Sequence, residues 1–184
     1  MREWPRDRWK EHPNWPEQTL LLNSHDGFRR MCSWLIESVH ELDLTSDSPL
    51  RGRKRVVLLR MLFDQWQAGM GGHERYEEKK LYPYLGRKYG VAFDHLERGH
   101  HELHIARDEV IVKFRMAAAS GAGHPERDQL GETLDSYNGI LVEHLRVEEE
   151  LVIPLLLTLS PDEFREYSTH SLRDLLRRMR ERGE

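Results

Sequence analysis

Apolar residues in this chain recur every three to four positions over long stretches and almost never alternate with polar ones. A period near 3.6 collects side chains on one stripe of a helix, whereas a strand needs a period of two. The stripe Leu21, Phe28, Met31, Leu35 and Val39 predicts a first helix over about Pro16 to Leu42. Val57, Leu58, Met61, Leu62 and Trp66 predict a second. It starts after Ser48-Pro49, where proline suits a first turn, and runs towards Leu81 and Leu85. The run Gly69-Met70-Gly71-Gly72 is expected to loosen it, because each glycine costs roughly 1 kcal/mol inside a helix. Gly86 to Gly90 reads as a turn, and about Ala92 to Ala119 as a third helix that ends at Gly121-Ala122-Gly123. A fourth covers about Pro125 to Leu159. Ser160-Pro161-Asp162-Glu163 then carries the hydroxyl, proline and acids that open a shorter fifth.

Four long helices joined by short loops predict an all-α, up-down-up-down four-helix bundle. The organisation expected is an N-terminal arm at 1–16, the bundle at 17–159 and an extra C-terminal helix at 160–184. A length of 184 residues suits one well-buried domain. Charged residues at 33%, hydrophobic residues at 38% and a net charge of only -4 fit a soluble globular protein and argue against disorder. The longest apolar run, Leu151 to Leu157, is interrupted by Pro154, and the N-terminus MREWPRDRWKEHPNW lacks the apolar stretch of a secretory signal. The single cysteine, Cys32, excludes an internal disulfide and fits a reducing, cytoplasmic setting. On its helix it reads as a small buried hydrophobe rather than a redox sensor.

Histidine is the unusual component, with 11 residues. Two segments echo each other: HERYEEKKLYP from His73 to Pro83, and HLRVEEELVIP from His144 to Pro154. In both, a glutamate follows the histidine by four residues, a second glutamate comes next, and proline stands six beyond the first glutamate. Residues four apart lie one turn apart on the same helix face, so imidazole and carboxylate can reach one point. That donor pair suits iron, manganese or zinc. The third helix adds His100, His101 and His104. At 100° per residue, His100 lies roughly 30° from the centre of its buried stripe, His104 roughly 70° and His101 roughly 130°. His100 and His104 are therefore expected to point inward and His101 to water. The first helix supplies His25 in LLNSHDGF.

Counted from the turns, His25, His73, His100, His104 and His144 fall at nearly one height on all four helices. With Glu77 and Glu148 they make seven candidate ligands, more than one zinc takes. Two six-coordinate metals sharing both carboxylates and an oxo or hydroxo bridge fit better. If three histidines serve one metal and two the other, one position stays open, which suits reversible binding of a small ligand such as O2. If only one histidine of the third helix binds, a second opens, and oxidative or peroxide chemistry gains.

These segments resemble the hemerythrin-like family, in the variant known as the HHE cation-binding domain. The matching positions are His25, then His73 and Glu77 before Tyr82-Pro83, then His100 with His104, then His144 and Glu148 before Ile153-Pro154. The resemblance covers about residues 17 to 158. It implies a non-haem di-iron site in a four-helix bundle, with roles in O2 carriage, O2 or redox sensing, or iron handling. The function expected is a di-iron protein that binds or senses O2 or a related oxidant. The alternatives are a peroxidase- or oxidase-type enzyme and an iron-storage or regulatory module.

The Glu-x-x-His strings Glu37 to His40 and Glu97 to His100 match a ferritin-like bundle, but they lie near opposite ends and cannot meet. The other histidines, His12, His40, His95, His124 and His170, fall off the shared level. Arginines at 173, 177, 178, 180 and 182 read as a solvated helix face, so neither nucleic acid nor a membrane is an expected partner. The stripe Phe164, Leu172, Leu175, Leu176 and Met179 is expected to pack on the bundle, with a homodimer through this helix as the sharper reading. Trp4, Trp9 and Trp15 are placed over the open end of the bundle.

Overall fold

Seven α-helices carry the described residues, which in this computed structural model are 5–42, 49–120 and 124–183; no strand occurs among them. The long helices are α1 (Trp15–His40), α2 (Pro49–Tyr76), α4 (Asp94–Ser120) and α5 (His124–Leu157). Each packs on the next, α1 on α2, α2 on α4 and α4 on α5, and α5 closes the ring on α1. The short helices are α3 (Tyr82–Tyr89), α6 (Pro161–Thr169) and α7 (Leu172–Arg182). No described helix is long and apolar enough to cross a membrane.

Most of the stripes read from the sequence are buried, but Met31 of the first and Val57, Leu58 and Met61 of the second are exposed. Helix α2 buries Val56, Leu59, Phe63, Trp66 and Met70 instead, a neighbouring stripe at the same three-to-four spacing. Leu35, Val39, Phe63, Leu103, Val110, Phe114, Leu134 and Leu141 form one apolar cluster. Leu81, Leu85, Leu96, Val152 and Leu156 form a second, nearer the α3 turn. The two clusters lie on either side of the candidate ligands on every long helix. Met70 and Leu81 bracket His73 and Glu77, Leu96 and Leu103 bracket His100, and Leu145 and Val152 bracket Glu148. A polar layer is thus sealed between two greasy ones.

Gly69 to Gly72 do not loosen α2, which stays α-helical through Tyr76. The irregularity comes later, as a π-helical segment at Glu77–Leu81. Pro83 follows it in the first turn of α3. Proline has no N–H to donate four residues back and its ring crowds that carbonyl, so a wider turn upstream relieves it. Pro154, its counterpart in the echo, lies inside an unbroken α5. Between α3 and α4, Gly90 takes the left-handed conformation (φ 68°) and its N–H returns to the Gly86 carbonyl. A side chain on Gly86 would come within 2.9 Å of the Val91 carbonyl oxygen, so this turn requires both glycines.

The C-terminal segment is two helices rather than one. Ser160 caps α6 as expected, and Glu163 returns its side chain to the Ser160 N–H to complete a capping box. Ser171, accepting from the Asp174 N–H, opens α7 after an extended His170. Leu175 and Met179 are buried in the second apolar cluster, with Phe164, Leu172 and Leu176 partly buried against it. The arm contains a 3-10 turn at Arg6–Glu11 that buries Trp9 against Ile153 and Leu157, with Trp15 beside them. Asn14 donates its amide to the Leu157 and Leu159 carbonyls, groups left over at the end of α5. Trp4 lies outside the described residues.

Candidate metal centre

His25, Glu77, His100, His144 and Glu148 are all buried, and His73 is partly so. Nε2 of His25 faces Nε2 of His73 at 2.9 Å. Nε2 of His73 also lies 2.6 Å from Oε1 of Glu77. Nε2 of His25 stands 3.5 Å from Oε2 of Glu148. Donor atoms of His25, His73, Glu77 and Glu148 all lie within 4.8 Å of one another. On the far side of the carboxylates, Nε2 of His100 is 3.5 Å from Oε2 of Glu77. The His144 ring sits 4.7 Å from that of His100, with its Nε2 at 3.9 Å from Oε2 of Glu148. Both oxygens of Glu77, Oε2 of Glu148 and Nε2 of His100 are buried without a well-directed hydrogen bond among the described residues, although imidazole nitrogens stand close to both carboxylates. Burying such atoms unpaired is costly, and converging lone pairs on carboxylate and imidazole are the donors a cation takes. The residues present fit a metal.

The second glutamate of each echo has a separate task. Nδ1 of His25 donates to Oε1 of Glu149 at 3.0 Å, and Nδ1 of His100 donates to Oε1 of Glu78 at 2.8 Å. Each bond fixes a ring so that Nε2 turns to the centre, the usual outer support of a metal-binding histidine. Arg29 reaches Glu149 at 2.8 Å, and Arg6 from the arm pairs with the same carboxylate. The Tyr82 hydroxyl donates to Oε1 of Glu148 at 2.9 Å.

These neighbours set the proton affinities. Burial pulls the His25 imidazole down, but Glu149, Glu77 and Glu148 outweigh it and raise its pKa to about 9. Burial likewise opposes the rise of His100 to about 9, which Glu77 and Glu78 cause. His144 goes the other way, to about 4, through burial and then the charge of His100. Burial would raise Glu77, yet the imidazoles of His100, His25 and His73 hold it well below the usual carboxylate range. Glu148 is pushed well above that range by burial and then by the charge of Glu77. Without a cation, the layer balances its charge with protons.

A family model for the hemerythrin HHE cation-binding domain matches residues 18–156. The chain belongs to that family. No curated protein and no solved structure matches it. The match spans α1 through nearly all of α5 in this HHE domain, the elements that deliver every residue of the polar layer.

Six of the seven expected ligands come together in the domain: His25, His73, Glu77, His100, His144 and Glu148. His104 does not join them. Its side chain is 43% exposed, and Nε2 donates to Oε2 of Glu74 at 2.7 Å. An angle of roughly 70° from the stripe's centre carries it to the flank of α4, towards α2. His101 is exposed, as expected. His40 lies beside Asp135 at 3.6 Å, near the far end of α1, so the ferritin-like pairing does not form.

Sequence reasoning missed the residues that hold the ligands, namely Glu78, Glu149 and Tyr82, and also Glu74, which holds His104 away from them. The doubled glutamate in each echo was the available signal for the first two. It also missed Gly99, against which the His144 ring lies so closely that a methyl group there would overlap it.

Proposed function

We propose that the HHE domain binds two iron ions, His25 and His73 serving one and His100 and His144 the other, with Glu77 and Glu148 shared. The observation that carries this reading is the position of the carboxylates. Glu77 turns Oε1 to His73 and Oε2 to His100, and Glu148 stands between His25 and His144. One cation held by His25, His73, Glu77 and Glu148 would leave His100 and His144 unused. Bound iron supplies reversible redox chemistry towards O2 or a related oxidant. The chain supplies the setting. The two apolar clusters keep bulk water out, Glu149 and Glu78 hold the rings, and Tyr82 holds one oxygen of Glu148. On this reading the four long helices run up-down-up-down, and the protein acts in the cytoplasm to bind or sense O2 or a related oxidant.

A second reading, a peroxidase- or oxidase-type enzyme, draws support from His104. With that ring turned to Glu74, six side chains must serve two ions, and more positions remain for exogenous ligands. Iron per chain and the visible spectrum of air-exposed protein test the metal. Two irons per chain are expected, falling by half or more in His73→Ala and His144→Ala. Less than one iron per chain in iron-replete protein would sink the reading. Cycling O2 separates the functions, since a binder returns to its starting spectrum while an enzyme keeps consuming peroxide.

A further inference from the structure

A cavity of about 400 Å³ opens at the surface between α4 and α5. Its volume lies in the range of small-molecule sites. Leu96, Ile140 and Val147 give it apolar walls. Gly139 presents bare backbone with open space beside it, leaving room for a flat ring, while the His144 ring fills the space beside Gly99. Glu102 and Glu143 stand among its lining and disfavour an anion. His144 belongs to this cavity and also to the small one among the candidate ligands, which His73, Glu77, His100 and Glu148 line. One imidazole therefore separates a surface pocket from the polar layer.

That imidazole is held differently from its neighbours. His25 and His100 commit Nδ1 to carboxylates, whereas the contacts of His144 among the described residues are the His100 ring and, through Nε2, Glu148, with no hydrogen bond to Nδ1. It lies against Gly99, which lines the pocket. A histidine that binds a metal through Nε2 carries its proton on Nδ1 and needs an acceptor there. An occupant of the pocket can supply one.

We propose that the α4–α5 pocket binds a small, neutral phenol-class molecule whose oxygen accepts a hydrogen bond from Nδ1–H of His144, one side chain from the metal centre. The hydrogen-bond component rests on the metal reading above. The pocket does not, because its walls are present without a metal.

Fluorine NMR of 4-fluorophenol with the full-length chain, metal-free and loaded with zinc as a diamagnetic stand-in, tests the proposal. Saturable binding is expected in both forms and tighter in the zinc form. Fluorobenzene, which lacks the oxygen, should bind about fivefold more weakly to the zinc form, the worth of one neutral hydrogen bond. A Cβ at Gly139 meets open space, so Gly139→Leu fills the pocket without displacing a ligand and should weaken binding at least tenfold. Gly139→Ala should weaken it less, and circular dichroism checks that both variants fold. No saturable binding to wild type, or equal binding to Gly139→Leu, overturns the pocket. Equal affinity for fluorobenzene overturns the role of His144. Failure to take up metal while Gly139→Leu still abolishes phenol binding sinks the two-ion reading and leaves the pocket standing.

Discussion

Glu149 never touches the centre, yet it joins three parts of the molecule: His25 on α1, Arg29 one turn further along, and Arg6 from the arm. Its loss should show whether the ligands are held or merely present. Glu149→Gln keeps the shape and removes the charge, so the fold should survive while metal affinity falls about tenfold or more, measured by competition with a chelator. Cys32 is the opposite case, a buried residue with no partner in the chemistry. Burial, and then the charge of Asp135, raise its thiol pKa from 9.0 to about 12. The thiol should resist alkylation in native protein at pH 8 and react once the chain unfolds. The linkage has a definite sign. A folded pKa above the unfolded one gives stability that is complete below pH 9 and is lost as pH rises towards 12. Denaturant melts across the alkaline range should show that loss, and Cys32→Ala should reduce it, most visibly between pH 9 and 10. Above that range the buried tyrosines Tyr82, Tyr137 and Tyr167, whose pKa values burial also raises, add losses of the same sign.

Among the helices, α2 and α4 show how different two glycines can be. Gly71 faces open space, so Gly71→Ala should stabilise the protein by about 1 kcal/mol, seen as a raised unfolding midpoint with unchanged metal content. Gly99 faces the His144 ring, so Gly99→Ala gains the same propensity but must push a ligand aside. Metal content should fall while the helix content holds. Propensity alone would rank the two substitutions as equals. The distinction between them belongs to packing between α4 and α5. The π-helical segment has the same origin. Pro83 and Pro154 sit at matching offsets in the echo, yet only α2 widens, because the surroundings of a proline decide how its missing N–H is absorbed.

For the whole molecule, the arm is a fastening. Trp9 is buried against Ile153 and Leu157, and Asn14 serves carbonyls at the end of α5, the helix that also brings His144 and Glu148. Trp9→Ala should cost about 3–5 kcal/mol in denaturant unfolding, the usual cost of truncating a large buried aromatic. Arg6 should then hold Glu149 less firmly, so metal release from the variant should quicken as well.

The sequence by itself determined the long helices, the level of the polar layer and most inward faces, though not that of α2, where Val56, Leu59 and Phe63 are buried and Val57, Leu58 and Met61 face out. Period and spacing are properties of one chain segment and need no knowledge of its neighbours. The pairing of His73 with Glu77, and of His144 with Glu148, was legible for the same reason, since four residues along a helix is a fixed distance. Only the tertiary structure decided between His100 and His104. Both lie within reach of the inner face, and the choice turns on Glu74 of α2 and Glu78 of the π-helical segment after it, which hold one ring outward and the other inward. It also decided that Glu149 supports His25 across the α1–α5 contact, and that α6 and α7 fold back over α3. These are contacts between side chains far apart in sequence. No local rule ranks them, because each depends on which helix faces come together and on how much room the neighbours leave.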